Sequence, residues 1–294
     1  MTVRKSAVAG RFYEAQPKKC LSQLQALIPR MLPAGTDTAG KTVKAGIVPH
    51  AGWVFSGDVA GKVFYQISQC QQVDTFIIFG AVHAVRTQRG LLYNTGAWET
   101  PLGQIEVDEE LAGQILDTTG RWIDANTSGH QHEHSIEVEV PFIQQLFPQA
   151  KIVPIMLPPM AESAQIGKVV GRVLEAADKA TVCIASTDLT HYGPSYGFSP
   201  MGVGPQANRW AREQNDRYFI DLALSLQADQ IVETAAMYNN ACGPGAVAAT
   251  IAAACELGAT EAALLAHTTS AEIMSEKFHQ VAEDSVGYAG IVYY

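Results

Sequence analysis

Apolar and polar positions follow two periods along this chain. Three nearly continuous apolar runs, rich in β-branched residues, stop at small residues and then deliver polar side chains: Lys44 to Trp53 (KAGIVPHAGW), Thr75 to His83 (TFIIFGAVH) and Thr181 to His191 (TVCIASTDLTH). Runs of this length bounded by glycine or proline read as buried strands, and Lys151 to Leu157, Glu261 to Ala266 and Val286 to Tyr293 share the pattern. Between the runs the period becomes helical. Leu21, Leu24, Leu27 and Ile28 mark a helix within Pro17 to Met31, and further helices are predicted over Asp58 to Gln69, from the cap Asp108 through Leu116, and over Val140 to Phe147 after Pro141. Helices over Glu162 to Ala177, near Gln206 to Leu226 and Asp229 to Met237 follow, and Asn239 to Gly245 opens a small-residue helix to Leu257. Pro33 to Gly40 and Gly193 to Pro205 read as connectors, and Gly90 to Thr95 with Gly103 to Val107 as a hairpin.

Strands alternating with helices predict βαβ units, so the fold class is α/β: one domain with a central, mainly parallel sheet flanked by helices. Ligands of open α/β sheets bind beyond the carboxyl ends of the strands. If the three polar-ended runs are parallel neighbours, His50, His83, Asp188 and His191 converge on one cleft.

Composition narrows the class. A chain of 294 residues, 47% of them hydrophobic, is long enough to bury about three quarters of its unfolded surface in one large domain. No run reaches the roughly 18 apolar residues of a membrane span, and the first residues lack the apolar core of a signal peptide, so a cytoplasmic protein without a membrane partner is expected. A net charge of -9 argues against a nucleic-acid partner, which requires a clustered basic surface. Five widely spaced cysteines do not make a disulfide framework; Cys20, Cys70, Cys183 and Cys255 read as packing thiols.

His50, His83 and Cys242 sit in small-residue turns, where side chains can reach a shared point. Two imidazoles and a thiolate suit iron, copper or zinc, although each histidine could equally hydrogen-bond within its loop. Asp188 and His191, three residues apart, fit an orienting carboxylate with a general base, or a turn cap with a packed histidine. His130, His132 and His134 alternate in HQHEH. An exposed loop explains the first two as well as a metal does, while His134, just before SIEVEVPF, is the one expected to face the cleft. Glu133 or Glu137 could add a carboxylate, and Glu137 and Glu139 could equally lie on a solvated face. Cys242, before a helix start whose dipole lowers a thiol pKa, is a ligand, a nucleophile or a packed small residue. His267 and His279 receive no role.

In order, AVAGRFY, VPHAGW, FGAVH, EHSIEVEVPF, STDLTHYG, NNACGPG and SVGYAG resemble the motifs of the Memo family, whose microbial members are called AmmeMemoRadiSam system protein B. The resemblance implies a fold similar to the LigB-type class III extradiol dioxygenases, non-haem iron enzymes. It implies a metal on His50, His83 and Cys242, with His134, Asp188 and His191 lining the same pocket. Fe(II) is the expected ion, with copper or zinc as alternatives. A cysteine stands where the extradiol enzymes carry a carboxylate. The family further implies AMMECR-type and radical SAM pathway partners, and an unidentified small molecule or peptide as ligand. Three functions follow: a metal-dependent, dioxygenase-like oxidoreductase or redox protein with His191 as acid/base; a hydrolase or amidase in which His191 and Asp188 activate Cys242; or a non-catalytic peptide-binding module.

Overall fold

The computed structural model describes residues 2–31 and 40–294, so all but the last residue of the Pro33 to Gly40 connector lies outside the described residues. The amino-terminal half contains β1 (Val3–Arg4), α1 (Pro17–Leu27), β2 (Ala45–Val48), α2 (Trp53–Cys70) and β3 (Thr75–Gly80). It continues with β4 (Gly90–Leu92), β5 (Ala97–Thr100), β6 (Gly103–Glu106), α3 (Glu109–Thr119) and β7 (Ile123–Ala125). A 3-10 turn (Glu137–Glu139) runs into α4 (Val140–Leu146), then β8 (Lys151–Met156), α5 (Ser163–Ala176), β9 (Thr181–Ser186) and β10 (His191–Tyr192). The remainder is α6 (Pro205–Trp210), a π-helical segment (Ala211–Asp216), α7 (Arg217–Leu224), α8 (Ala228–Tyr238), α9 (Pro244–Glu256), β11 (Ala262–Thr269), α10 (Ser270–Phe278) and β12 (Ser285–Tyr293).

The large sheet has the order β10-β12-β2-β9-β3-β8-β4-β7, with β11 also paired to β12. Its four central strands, β2, β9, β3 and β8, are all parallel, and they are buried on both faces except at the first residues of β8 and β9. This is why they read as continuous apolar runs rather than alternating ones. Strands β12 and β4 flank them antiparallel, which makes the whole sheet mixed. Because β2, β9 and β3 run the same way side by side, their following loops leave from one edge.

A separate three-stranded sheet has the order β1-β5-β6. Here the structure corrects the predicted hairpin: β6 turns back on β5 through Pro101 and Leu102, whereas β4 joins the large sheet beside β8. A two-residue connection closes a hairpin readily, and the longer excursion from Gly90 leaves β4 free to pair elsewhere.

Helices α1, α2, α4 and α10 pack as one group and α3, α5, α8 and α9 as another, and the two groups flank the sheet. Helices α5 and α9 approach so closely that a Cβ on Gly167 would lie 2.0 Å from the Ala249 carbonyl oxygen, so the small-residue face of α9 has a packing role. Asp108 caps α3 as expected, accepting from the Leu111 amide at 3.1 Å. The helix predicted near Gln206 to Leu226 is divided by the π-helical segment, whose extra residue turns Asn215 and Asp216 into the interior. Helix α2 begins at Trp53, five residues before the expected start, where the Trp53 amide donates to the Phe12 carbonyl at 2.8 Å. His279 caps α10 in a left-handed conformation. No described helix is long and apolar enough to cross a membrane.

Candidate metal centre

Five loops meet at the carboxyl edge of the parallel strands. Those after β2, β3 and β9 carry His50, His83 and Asp188; the segment before the 3-10 turn carries Glu133 and His134; the approach to α9 carries Cys242. Gly80 lets the segment that carries Glu133 and His134 close over β3, because a Cβ there would come within 2.5 Å of Ile136 and 2.7 Å of the Ser135 hydroxyl. His50, His83 and His134 each offer a ligand atom, and these atoms all lie within 4.8 Å of one another. Their ring centroids are 5.2 Å apart for His50 and His83, 5.3 Å for His50 and His134, and 4.8 Å for the stacked pair His83 and His134.

The hydrogen-bond network assigns the tautomers of two rings. His50 Nδ1 lies 2.8 Å from Ser186 Oγ, which itself donates to the Ser135 carbonyl at 2.5 Å and must therefore accept from the imidazole. His83 Nδ1 lies 3.0 Å from the Glu133 carboxylate, which can only accept. Both rings thus carry hydrogen on Nδ1 and leave Nε2 unprotonated, the arrangement that outer partners impose on metal-binding histidines. Burial, reinforced by the neighbouring His83 and His134, holds His50 well below the usual histidine range, and burial also lowers His134.

Glu133 organises the second and third rings. Its Oε2 accepts from the His83 and Ala84 amides at 2.7 and 3.2 Å, and Oε1 from His83 Nδ1 and from the His134 and Ser135 amides at 3.0 Å each. Burial alone would push this carboxyl up, but the hydrogen bond from His83 Nδ1 together with the backbone donors of Ser135 and His83 outweighs it and holds Glu133 far below the usual range. The sequence names Glu133 only as an optional carboxylate, because five converging donors leave no mark in a linear pattern.

Other expectations are corrected. Asp188 Oδ1 accepts from the His50 amide at 2.8 Å, while Oδ2 stands 4.0 Å from His191 Nε2, too far for a hydrogen bond. The carboxylate therefore fixes the His50 loop rather than the His191 ring; burial raises Asp188 to about 7, whereas burial and His83 lower His191. Cys242 Sγ lies 3.2 Å from His50 Nε2 and receives the Asp188 amide at 3.3 Å. Burial, then the charge of Asp188, pushes its thiol up rather than down, since the Gly243 amide at the helix start is spent on Thr187 Oγ1. Glu137 and Glu139 are buried rather than solvated, because their segment is a 3-10 turn inside the core. His130 is buried and His132 exposed. His267 pairs with Asp216 at 3.1 Å. A cavity of about 330 Å³ opens beside the centre, lined by His191, Cys242, Tyr196 and Phe198 among others.

His130 gives this region a pH signature. Its Nε2 donates to the Leu91 carbonyl at 2.9 Å and its ring packs against Tyr93 and Trp98. Burial depresses its pKa to about 3. Below an unfolded value of about 6.5 the unfolded chain takes up a proton that the folded one refuses, so stability falls by about 1.4 kcal/mol per pH unit until the folded value is reached. His130→Gln should remove that slope. Urea unfolding at pH 6 and pH 4 should show the wild type losing more stability than the variant by about this amount per unit, and equal slopes would contradict it.

A sequence profile of Memo-like proteins matches residues 4–292. A MEMO1 family protein of Thermococcus onnurineus is 36% identical over 298 residues, covering 99% of each chain, and one of Pyrobaculum aerophilum is 32% identical over 300 residues, covering 100% of each. In fold, the chain is similar to the uncharacterized protein JW3007 of Escherichia coli K12, with a TM-score of 0.51 and 10% identity over 84% of this chain and 99% of that one. The protein belongs to the Memo family.

Proposed function

We propose that this chain is a metal-dependent oxidoreductase whose ion is held by His50, His83 and His134. The carrying observation is that the ligand atoms of three imidazoles lie within 4.8 Å of one another, and that two rings have their Nδ1 hydrogens committed to Ser186 and Glu133. Neutral imidazoles lose no proton on binding a cation, and such a nitrogen set fits iron, copper or zinc. The family resemblance favours Fe(II), which when bound supplies one-electron chemistry and a Lewis acid. Ser186 and Glu133 keep the Nε2 lone pairs presented, Asp188 fixes the His50 backbone, and His191 lines the adjoining cavity, where it can take or return a substrate proton.

The 3.2 Å contact between Cys242 Sγ and His50 Nε2 favours a second arrangement, with the sulfur in place of His134 as third donor. The same contact counts against the hydrolase reading built on His191, since His50 is the imidazole beside the sulfur and the thiol is held protonated. No lysine or arginine lines the 330 Å³ cavity, where His191 is the one ionisable nitrogen, and this counts against a phosphorylated peptide as its ligand.

The test is metal content. Purified anaerobically and supplied with Fe(II), the chain should retain close to one ion per molecule after desalting, as measured by plasma mass spectrometry. Retention of no iron, copper or zinc would refute the proposal.

A further inference from the structure

Arg4, almost at the start of the chain, is wholly buried and spends its guanidinium on the segment that carries Glu133 and His134. Its Nε donates to the His130 carbonyl at 2.7 Å, Nη2 to the Glu133 carbonyl at 2.6 Å and Nη1 to Glu137 Oε2 at 2.8 Å, while its plane lies over Trp98 with Cζ 4.1 Å from the ring centroid. Glu137 returns the connection. It accepts from the Ala7 and Val8 amides at 2.7 and 2.9 Å and from the Tyr13 hydroxyl at 2.9 Å. Phe12, in the same amino-terminal stretch, packs on His134 with ring centroids 4.9 Å apart. Residues 3–13 and 130–137 are therefore one cross-tied unit, although β1 itself pairs with β5 over only two residues.

We infer that Arg4 is a positioning residue for the metal centre, acting through this segment on the His83 tautomer and on the place of His134. The inference rests on the metal-binding reading proposed above. Three acceptors on three residues are met by one planar fork, a geometry that a lysine ammonium on a flexible stem does not reproduce. With the segment untied, the Glu133 carboxylate would no longer be held against both His83 Nδ1 and the His83 amide, and the second imidazole would lose its fixed tautomer.

The experiment compares full-length wild type, Arg4→Lys and Glu137→Gln, the last keeping the guanidinium and replacing the carboxylate that accepts from it and from the Ala7, Val8 and Tyr13 donors, as a second variant in case the first fails to fold. Long-range proton–nitrogen NMR of the metal-free proteins reads the His83 tautomer, calorimetry reads Zn(II) affinity, and thermal unfolding reads stability. The expected result is a single Nδ1–H tautomer of His83 in the wild type, a tautomer mixture in the variants, and Zn(II) affinity lowered about 10- to 100-fold, the range for losing an outer partner of a ligand. A lower melting temperature with an unchanged His83 tautomer and affinity within about twofold would show a purely structural role and overturn the inference. If the wild type takes up no metal, the metal reading fails alone, and the tautomer measurement still decides whether Arg4 positions the ring.

Discussion

Replacing His83 by alanine should lower metal affinity by more than about 100-fold, beyond what loss of an outer partner produces, while the chain remains folded. Of the clustered imidazoles, His83 is the one whose removal separates binding from folding. Its side chain is about one-third exposed at 34%, whereas His50 is buried at 2%, so truncating His50 would also open a cavity beneath the strand ends. Glu133, deprived of the His83 ring, keeps the His83, Ala84, His134 and Ser135 amides, so its carboxylate remains satisfied. The measurement is calorimetric titration with Zn(II), a redox-inert probe, beside circular dichroism of both proteins. Wild-type affinity in a folded variant would remove His83 from the ligand set.

Glu133→Gln should be nearly as damaging, and for a different reason. Each carboxylate oxygen accepts at least two hydrogen bonds, and all its partners are donors. An amide must present NH2 at one of the two positions, so whichever way it turns, donors face donors inside the protein. Leaving one buried donor unsatisfied costs about 1–3 kcal/mol, and losing the charge adds to that. Stability should fall by at least this much in denaturant unfolding, and metal affinity by about 10- to 100-fold as the His83 ring loses its fixed tautomer. Calorimetry showing both unchanged would mean that Glu133 neither orders the loop nor orients the imidazole.

The legible parts of this protein were those where one local pattern carries the information. Strands β2, β3, β8 and β9 are buried on both faces, so their sequences are continuous apolar runs, and the residues following β2, β3 and β9 stood out as candidates because polar side chains directly succeed those runs. What stayed hidden depends on contacts between distant segments. Arg4 sits beside Lys5 and looks like an ordinary solvated charge, yet its partners lie 126 to 133 positions away. Glu137 and Glu139 alternate with valines as a half-exposed strand would, but the segment is a 3-10 turn in the core. Asp188 and His191 are close in sequence, and proximity suggested a pair; the carboxylate instead turned to the His50 amide. His134 stood out as facing the cleft, but its place beside His50 and His83 follows from Glu133 and Gly80, which only the folded chain brings together.

The most direct measurement of the central claim is anomalous diffraction from crystals of the chain loaded with Zn(II), recorded at the zinc edge. The account predicts one strong peak per chain, about 2.0–2.1 Å from Nε2 of both His50 and His83, with His134 completing the nitrogen set. A peak that lies elsewhere, or that touches neither of those two nitrogens, would contradict it.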